Sequence, residues 1–480
     1  MDRNGVLPRA ATFSGVREAL AAVSAAAAPP RWAPGERPEL NPTLRLVQAG
    51  DGLLLVWRPP LAGQATVRAA EPRDLLVLKI VAGRLPVAVA AAAAALCEGD
   101  VEALLAGAAG EGLVLAPRPL VRRGDGFPAG ELADPRYRES ATFTLQWHLT
   151  QDCDLRCRHC YDRSERPGVP REQALGVLED LRRFCRARRV AGVVSFSGGN
   201  PLLHPHFLEL YAAAAGHGFG VGVLGNPSPR RRIEEMLAVR APLFFQVSLE
   251  GLPGHNDWVR GAGHFARTEE FLRHLRDLGV PAAVMLTLTD ANVDQVLPLA
   301  ARLRGLVDVF QFNRLAMVGE GAALRLPSRE RYERFLEEYV TAAAADPALG
   351  VKDNLAAIVL RRRGEPPSGG CTGCGCGAAF DFLALLPDGE AHACRKFPSP
   401  VGDVVREGIA AVYDSEAARR YRAGCAACAG CPIRPVCGGC MAVAHGFGLD
   451  PLRERDPMCF ADGGRSRAQA FSVPAGGGGS

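Results

Sequence analysis

The stretch "CDLRCRHCYD" places Cys153, Cys157 and Cys160 in a C-x3-C-x2-C loop directly after an apolar strand signal. Four protein thiolates make a closed structural metal site, whereas three leave one position open for a substrate. Three thiolates in one tight loop therefore suit a [4Fe–4S] cluster whose fourth iron binds another molecule. A zinc ion completed by His159 or His148 is the bland alternative. A second concentration lies far downstream. Cys371, Cys374 and Cys376 crowd into "CTGCGC", Cys394 follows, and Cys428, Cys431, Cys437 and Cys440 form C-x2-C-x5-C-x2-C before Cys459.

Composition bounds what these thiols can be. The chain has 480 residues, 15 cysteines and a formal net charge of +4. That charge points to neither nucleic acid nor an acidic membrane surface. The apolar run Pro86 to Leu96 is mostly alanine and too short for a membrane span. The opening "MDRNGVLPRA" lacks the features of a secretory signal, so a cytoplasmic protein is expected, in which clustered cysteines bind metal rather than form disulfides. Cys97 and Cys185 stand alone and read as small buried hydrophobes.

The elements that must position the first loop are strands alternating with helices. Strands are expected at "TFTLQWHLT", "GVVSFS", "GFGVGVLG", "LFFQVSLE", "PAAVMLTLT" and "VDVFQFN", with helical runs such as "REQALGVLEDLRRFCRAR" between them. Such βα repeats argue for parallel strands wound with one hand, and for chemistry at the C-terminal strand ends. Upstream, "TLRLVQ", "LLLVWR" and "ATVRAA" alternate as a small antiparallel meander, followed by short helices and the strand "LVLAP". The stretch "FSGVREALAAVSAAAA" reads as an amphipathic helix, and Arg122 to Ser140 as a Gly- and Pro-rich linker. From residue 371 onward periodicity fails, as expected where metal replaces a hydrophobic core.

Polar groups fall after successive strands: "SFSGGNP" with Gly198, Gly199 and Asn200, "GNPSP" with Asn226, and "VSLEG" with Ser248 and Glu250, then Arg260 in "HNDWVRG". Paired glycines let backbone approach a ligand closely. With the cysteine loop, this series resembles the radical S-adenosylmethionine (SAM) enzymes. The resemblance implies that Cys153, Cys157 and Cys160 hold a [4Fe–4S] cluster and that its open iron chelates SAM. One-electron reduction would then release a 5′-deoxyadenosyl radical. It also implies that Gly198, Gly199, Asn200 and Asn226 line the SAM site, with Ser248 and Glu250 near the ribose and Arg260 on the carboxylate. The family's usual Gly–Gly–Glu is "GGN" here, which replaces a carboxylate by a neutral amide.

The downstream cysteines resemble the SPASM domain, which carries two auxiliary [4Fe–4S] clusters. By that resemblance Cys376, Cys394 and Cys440 serve one cluster with an upstream partner, and Cys428, Cys431, Cys437 and Cys459 serve the other. Cys371 is chosen as the partner over Cys374, because four intervening residues let the chain wrap around a cube and a C-x-C pair is cramped. Cys425 is surplus. The stretch 37–118 resembles the winged-helix-like element that reads the leader of a ribosomally made precursor peptide by strand addition. Its basic and acidic residues are about equal in number, against nucleic-acid binding.

The expected architecture is α/β: a helix and linker at 1–36, a winged-helix-like leader-recognition domain at 37–118, and a linker at 119–139. A partial (β/α)6 radical SAM barrel follows at 140–345, a SPASM domain with two auxiliary clusters at 346–462, and a tail at 463–480 whose "GGGGS" reads as an artificial scar. The expected function is oxidative modification of a precursor peptide, with three [4Fe–4S] clusters, SAM, and a flavodoxin- or ferredoxin-type reductant. The segments "FSGGNPLLHP", "FFQVSLEGLPGHNDWVRG" and "FNRLAMVGEG" look most like the selenobiotic-type maturases, which implies a thio(seleno)oxazole-like product or a sulfur-to-carbon bond at Cys or selenocysteine. Carbon–carbon crosslinking is the alternative within the class. A sulfatase-maturase reading is weakened because Cys394 precedes Arg395 and Lys396 rather than an acidic residue. An iron–sulfur or zinc-binding protein without turnover is the alternative outside it.

Overall fold

A computed structural model describes residues 38–461, apart from 42, 50–51, 58–65, 116–119, 125–126, 129, 131, 133–136, 367–369 and 374. The amphipathic stretch at 13–28, the "GGGGS" tail and Cys374 lie outside the described residues.

The N-terminal unit begins with β1 (Glu39–Leu40), β2 (Arg45–Ala49), β3 (Gly52–Trp57) and β4 (Thr66–Ala69). Strands β2, β3 and β4 form the expected antiparallel meander. Three helices follow, α1 (Pro72–Ala82), α2 (Val87–Ala94) and α3 (Glu98–Gly110), and β5 (Val114–Leu115) returns to pair with β1. Leu55, Trp57, Val77, Ile80, Val101 and Leu105 close a small separate core. The alanine run is α2, and no described helix is long and apolar enough to cross a membrane.

The segment read as a linker is tied down. Its ends pair as β6 (Val121–Arg122) and β7 (Glu139–Ser140). Between them, Arg123 donates to the Arg422 carbonyl at 2.8 Å and the Cys376 carbonyl at 2.6 Å, and stacks between Phe127 and Phe380.

Six parallel strands follow in sequential order: β8 (Thr142–Thr150), β9 (Ala191–Gly198), β10 (Gly220–Leu224), β11 (Phe244–Ser248), β12 (Ala282–Leu288) and β13 (Val309–Arg314). The helices between them include α4 (Arg171–Arg188), α5 (Phe207–Gly216), α6 (Arg230–Val239), α7 (Pro253–Arg260), α8 (His264–Asp277) and α9 (Val296–Arg302). Alternation along β8 explains the layering. Phe143 meets Phe184 of α4 at 4.6 Å between ring centroids, and Trp147 packs on Phe196, which meets Phe207 of α5. Each such fully buried aromatic contributes about 1.5–3 kcal/mol. The opposite face of the strands presents His148, Thr150, Ser197, Gln246, Ser248, Thr287 and Asn313 to a cavity.

Beyond α10 (Arg329–Ala345) and α11 (Ala356–Arg362), the cysteine-rich third corrects the expectation of lost regularity. Strand β14 (Phe382–Leu385) adds parallel to β8, and β15 (Glu390–His392) and β16 (Pro400–Asp403) extend the sheet antiparallel to nine strands. The four residues "FLAL" of β14 are buried on both faces, so they carry no alternation for a periodicity argument to find.

Candidate active site

The cysteine loop leaves the C-terminal end of β8 and folds under the end of β9. The Gly199 N–H donates to the Thr150 carbonyl at 2.8 Å and the Asn200 N–H to the Asp152 carbonyl at 2.7 Å. A side chain on Gly198 would collide with the Thr150 carbonyl and one on Gly199 with that of Asp152. The glycines are thus required by the cluster loop itself, a reason that the sequence did not show. Gly319, with φ +59°, does the same from the far side, where a Cβ would lie 2.7 Å from the Cys160 carbonyl.

Each thiol of the loop has a defined neighbour. Asn226 Nδ2 lies 3.6 Å from Cys153 Sγ and donates to Asp154 Oδ1 at 2.6 Å. Arg260 Nη1 lies 3.6 Å from Cys157 Sγ, and Cys160 Sγ contacts the Asp162 carbonyl at 3.1 Å. Two donors beside sulfur are the outer-shell pattern that favours thiolate over thiol. Burial pushes the Cys157 thiol up, and Arg260 opposes that.

Glu250, expected near a ribose, has its carboxylate engaged by groups of the protein. It is buried beside Arg260, which donates to its Oε1 at 2.9 and 2.6 Å, while Oε2 accepts the Thr287 N–H at 2.7 Å. His159 Nε2 lies 3.4 Å from the same carboxylate. Burial raises the Glu250 carboxyl, but His159 and Arg260 outweigh it and hold the group below the usual range. Asn200 likewise turns inward: it is buried, its Oδ1 caps the following turn by accepting the Leu202 N–H at 3.3 Å, and its Nδ2 donates to Asp154 at 3.1 Å. Gly198, Gly199, Asn226, Ser248 and Arg260 line a cavity of about 1010 Å³ with all three cysteines. Of the two histidines near the loop, His148 Nε2 faces Tyr161 Oη at 3.2 Å and His159 Nε2 faces Glu250.

The downstream cysteines form two groups. Cys371, Cys376, Cys394 and Cys440 act electrostatically on one another, and burial pushes the Cys376 thiol up to about 12 and the Cys394 thiol to about 11. Asn354 organises this group: its Oδ1 accepts the Cys371 N–H at 2.7 Å and its Nδ2 donates to the Gly439 carbonyl. Cys428, Cys431, Cys437 and Cys459 ring a second cavity of about 290 Å³. Four thiols around a void, rather than converging on a point, fit a cubic cluster. Cys425 does not line that cavity; its thiol is 3.1 Å from the Glu454 carbonyl.

Sequence reasoning missed the residue that joins these groups to the barrel. Arg314, at the end of β13 and buried, pairs with Asp353 at 2.7 Å and with both oxygens of Asp456 at 2.9 and 2.7 Å. Asp456 in turn accepts the Cys440 N–H at 2.8 Å and the Met458 N–H at 3.0 Å. A carboxylate three residues before Cys459 was the available signal, but nothing in the chain pairs it with Arg314.

Residues 147–303 match the model of the radical SAM superfamily and residues 374–441 that of the iron–sulfur cluster-binding SPASM domain. The mycofactocin maturase MftC of Mycolicibacterium smegmatis is 30% identical over 66% of this chain and 83% of its own length. The chain belongs to the radical SAM superfamily. The subtilosin biosynthesis protein AlbA of Bacillus subtilis is 24% identical over 61% of this chain and 66% of that protein. Among solved structures, Streptococcus suis SuiB bound to its precursor peptide SuiA shares the fold, with a TM-score of 0.56 at 14% identity, covering 88% of this chain and 99% of SuiB. This radical SAM protein is therefore an enzyme that binds a [4Fe–4S] cluster and SAM in its barrel and auxiliary clusters in its SPASM domain.

Proposed function

We propose that this enzyme oxidatively modifies a ribosomally made precursor peptide. The observation that carries the reading is the large cavity into which the barrel's cysteine loop opens and whose wall includes Arg395 and Lys396, next to the auxiliary ligand candidate Cys394. A peptide segment in that cavity would lie between the two kinds of cluster. Bound SAM and its cluster would supply a radical that removes a hydrogen atom. The chain's own residues bind and orient: Cys153, Cys157 and Cys160 hold the cluster, Asn226, Ser248 and Arg260 contact SAM, and Glu250 fixes Arg260. Cys371, Cys376, Cys394 and Cys440 hold one auxiliary cluster, and Cys428, Cys431, Cys437 and Cys459 the other.

The N-terminal unit supports recognition of a leader. Strand β2 is an exposed edge whose outer side pairs with no other described strand, a ready template for strand addition. The unit is fastened beside the barrel, with Glu102 and Asp100 of α3 paired to Arg186 and Arg240. Relatives named as maturases and a neighbour crystallised with a precursor peptide agree with this reading. The finer proposal is modification at Cys or selenocysteine, giving a sulfur-to-carbon bond or a thio(seleno)oxazole-like product. A flavodoxin- or ferredoxin-type protein of the cytoplasm would serve as reductant.

The test is anaerobic reconstitution with iron and sulfide, then dithionite, SAM and a Cys-containing peptide encoded beside the enzyme's gene. 5′-Deoxyadenosine and a peptide lighter by two hydrogens are expected, and Cys153→Ala should abolish both. SAM cleavage with an unchanged peptide mass would refute the peptide reading.

A further inference from the structure

The cavity is lined by several arginines, and most already have a carboxylate. Arg163 pairs with Glu320 at 3.1 Å, Arg166 with Asp388 and Glu390 at 2.6 Å each, and Arg171 with Glu209. Arg260 pairs with Glu250 and Arg314 with Asp456. Arg395 lines the same cavity, is half-buried, and has no hydrogen-bond or ion-pair partner among the described residues. Arg156 shares that lack of a partner but is exposed, where water screens it. A half-buried guanidinium with no direct partner keeps its fork of donors free for an anion brought into the cavity.

The charge of Arg395 is felt by His148 and Tyr161 on the barrel side and by Lys352, which lies beside Cys371 and Cys394, on the other. His148 is buried and bonded to Tyr161, and an imidazole in either protonation state is no counter-charge to a guanidinium. Asp162 carries a carboxylate nearby, but it makes no ion pair with Arg395 and accepts instead from Gln151 at 2.7 Å and from Ser164 at 2.6 and 2.9 Å.

We propose that Arg395 is a substrate subsite that binds a carboxylate of the peptide, fixing the neighbouring residue between the cysteine loop and the auxiliary thiols. The inference rests on the proposed peptide reading and names what that peptide must carry. The guanidinium fork matches a carboxylate with two parallel N–H···O bonds, which a lysine at this position would not. The carboxylate is that of an acidic side chain or of the peptide's C-terminus; both present the same two oxygens.

Three probes separate these sources: acetyl-Gly-Glu-Gly-amide, acetyl-Gly-Gln-Gly-amide, and acetyl-Gly-Gln-Gly with a free C-terminal carboxylate. Binding to the reconstituted, SAM-loaded enzyme is measured by titration calorimetry, without turnover. At least one carboxylate probe should bind on the order of 10-fold more tightly than the neutral probe. The arm that does so identifies the source. Arg395→Met should erase the preference and leave affinity for the neutral probe alone, while Arg395→Lys should keep part of it. Unchanged iron content in the lysine variant separates a lost subsite from a lost cluster. Equal affinity of all three probes for the wild type, or a preference that survives in Arg395→Met, would overturn the proposal. A preference that depends on Arg395 in an enzyme that modifies no peptide would refute the proposed function and leave the anion subsite standing.

Discussion

Glu250 and Arg260 are buried together, and Arg260 in turn reaches Cys157. Glu250→Gln leaves the guanidinium at the cavity wall without its carboxylate. Removing one partner of a buried pair costs about 3–5 kcal/mol. Thermal denaturation of the reconstituted variant should show a clear fall in Tm together with weaker SAM binding; an unchanged Tm would mean that the pair is not what holds Arg260. His148 makes a different prediction. Burial, then the charge of Arg395, pull its pKa down to about 3, from about 6.5 in an unfolded chain. The unfolded state therefore binds the proton first, so the stability is fully present above about pH 6.5 and is lost as pH falls toward 3. At pH 5 the loss is roughly 2 kcal/mol. Urea unfolding at pH 7 and pH 5 should show a smaller difference for His148→Gln than for the wild type.

Among the elements, the junction of β8, the cysteine loop and β9 is held by close backbone approach. Gly199→Ala drives a methyl into the Asp152 carbonyl and must push the loop away from β9. Iron analysis should then show the loss of one cluster, with the SPASM clusters retained. Gly176 in α4 has nothing within 4 Å of the point where a Cβ would stand, so Gly176→Ala should be harmless. It is expected to stabilise the chain by about 0.4–1 kcal/mol, by restricting the unfolded state. The contrast between two glycines separates a steric requirement from a general intolerance of alanine, and equal iron loss in both variants would refute it.

For the whole molecule, Arg314 is the bolt between barrel and SPASM domain. Its partners Asp353 and Asp456 lie on either side of the cysteine-rich third, and Asp456 also holds the Cys440 N–H. Asp456→Asn leaves Arg314 paired with Asp353 alone and should cost about 1.5–3 kcal/mol, the range for losing hydrogen bonds to a charged group. Because Asp456 also positions the Cys440 and Cys459 loops, the loss should appear both as a lower Tm and as depleted auxiliary iron. A variant that keeps full iron while losing stability would confine Asp456 to packing.

The order of residues along the chain was enough to establish the chemistry and the succession of barrel strands. Thiol spacing is local, so C-x3-C-x2-C and the later cysteine series were legible, as were six strands whose apolar runs recur between amphipathic helices. That order was silent on β14, because a strand buried on both faces has no period, and on the close approach of Gly198 and Gly199 to the Thr150 and Asp152 carbonyls. Which charges are satisfied was settled only by tertiary structure. Glu250, Arg314 and Arg395 are alike in sequence as polar residues beside a motif. The first two find buried partners, and the third faces a cavity with no ion-pair partner among the described residues. Coulomb pairing acts through space between residues distant in the chain, so the fold decides it rather than sequence spacing.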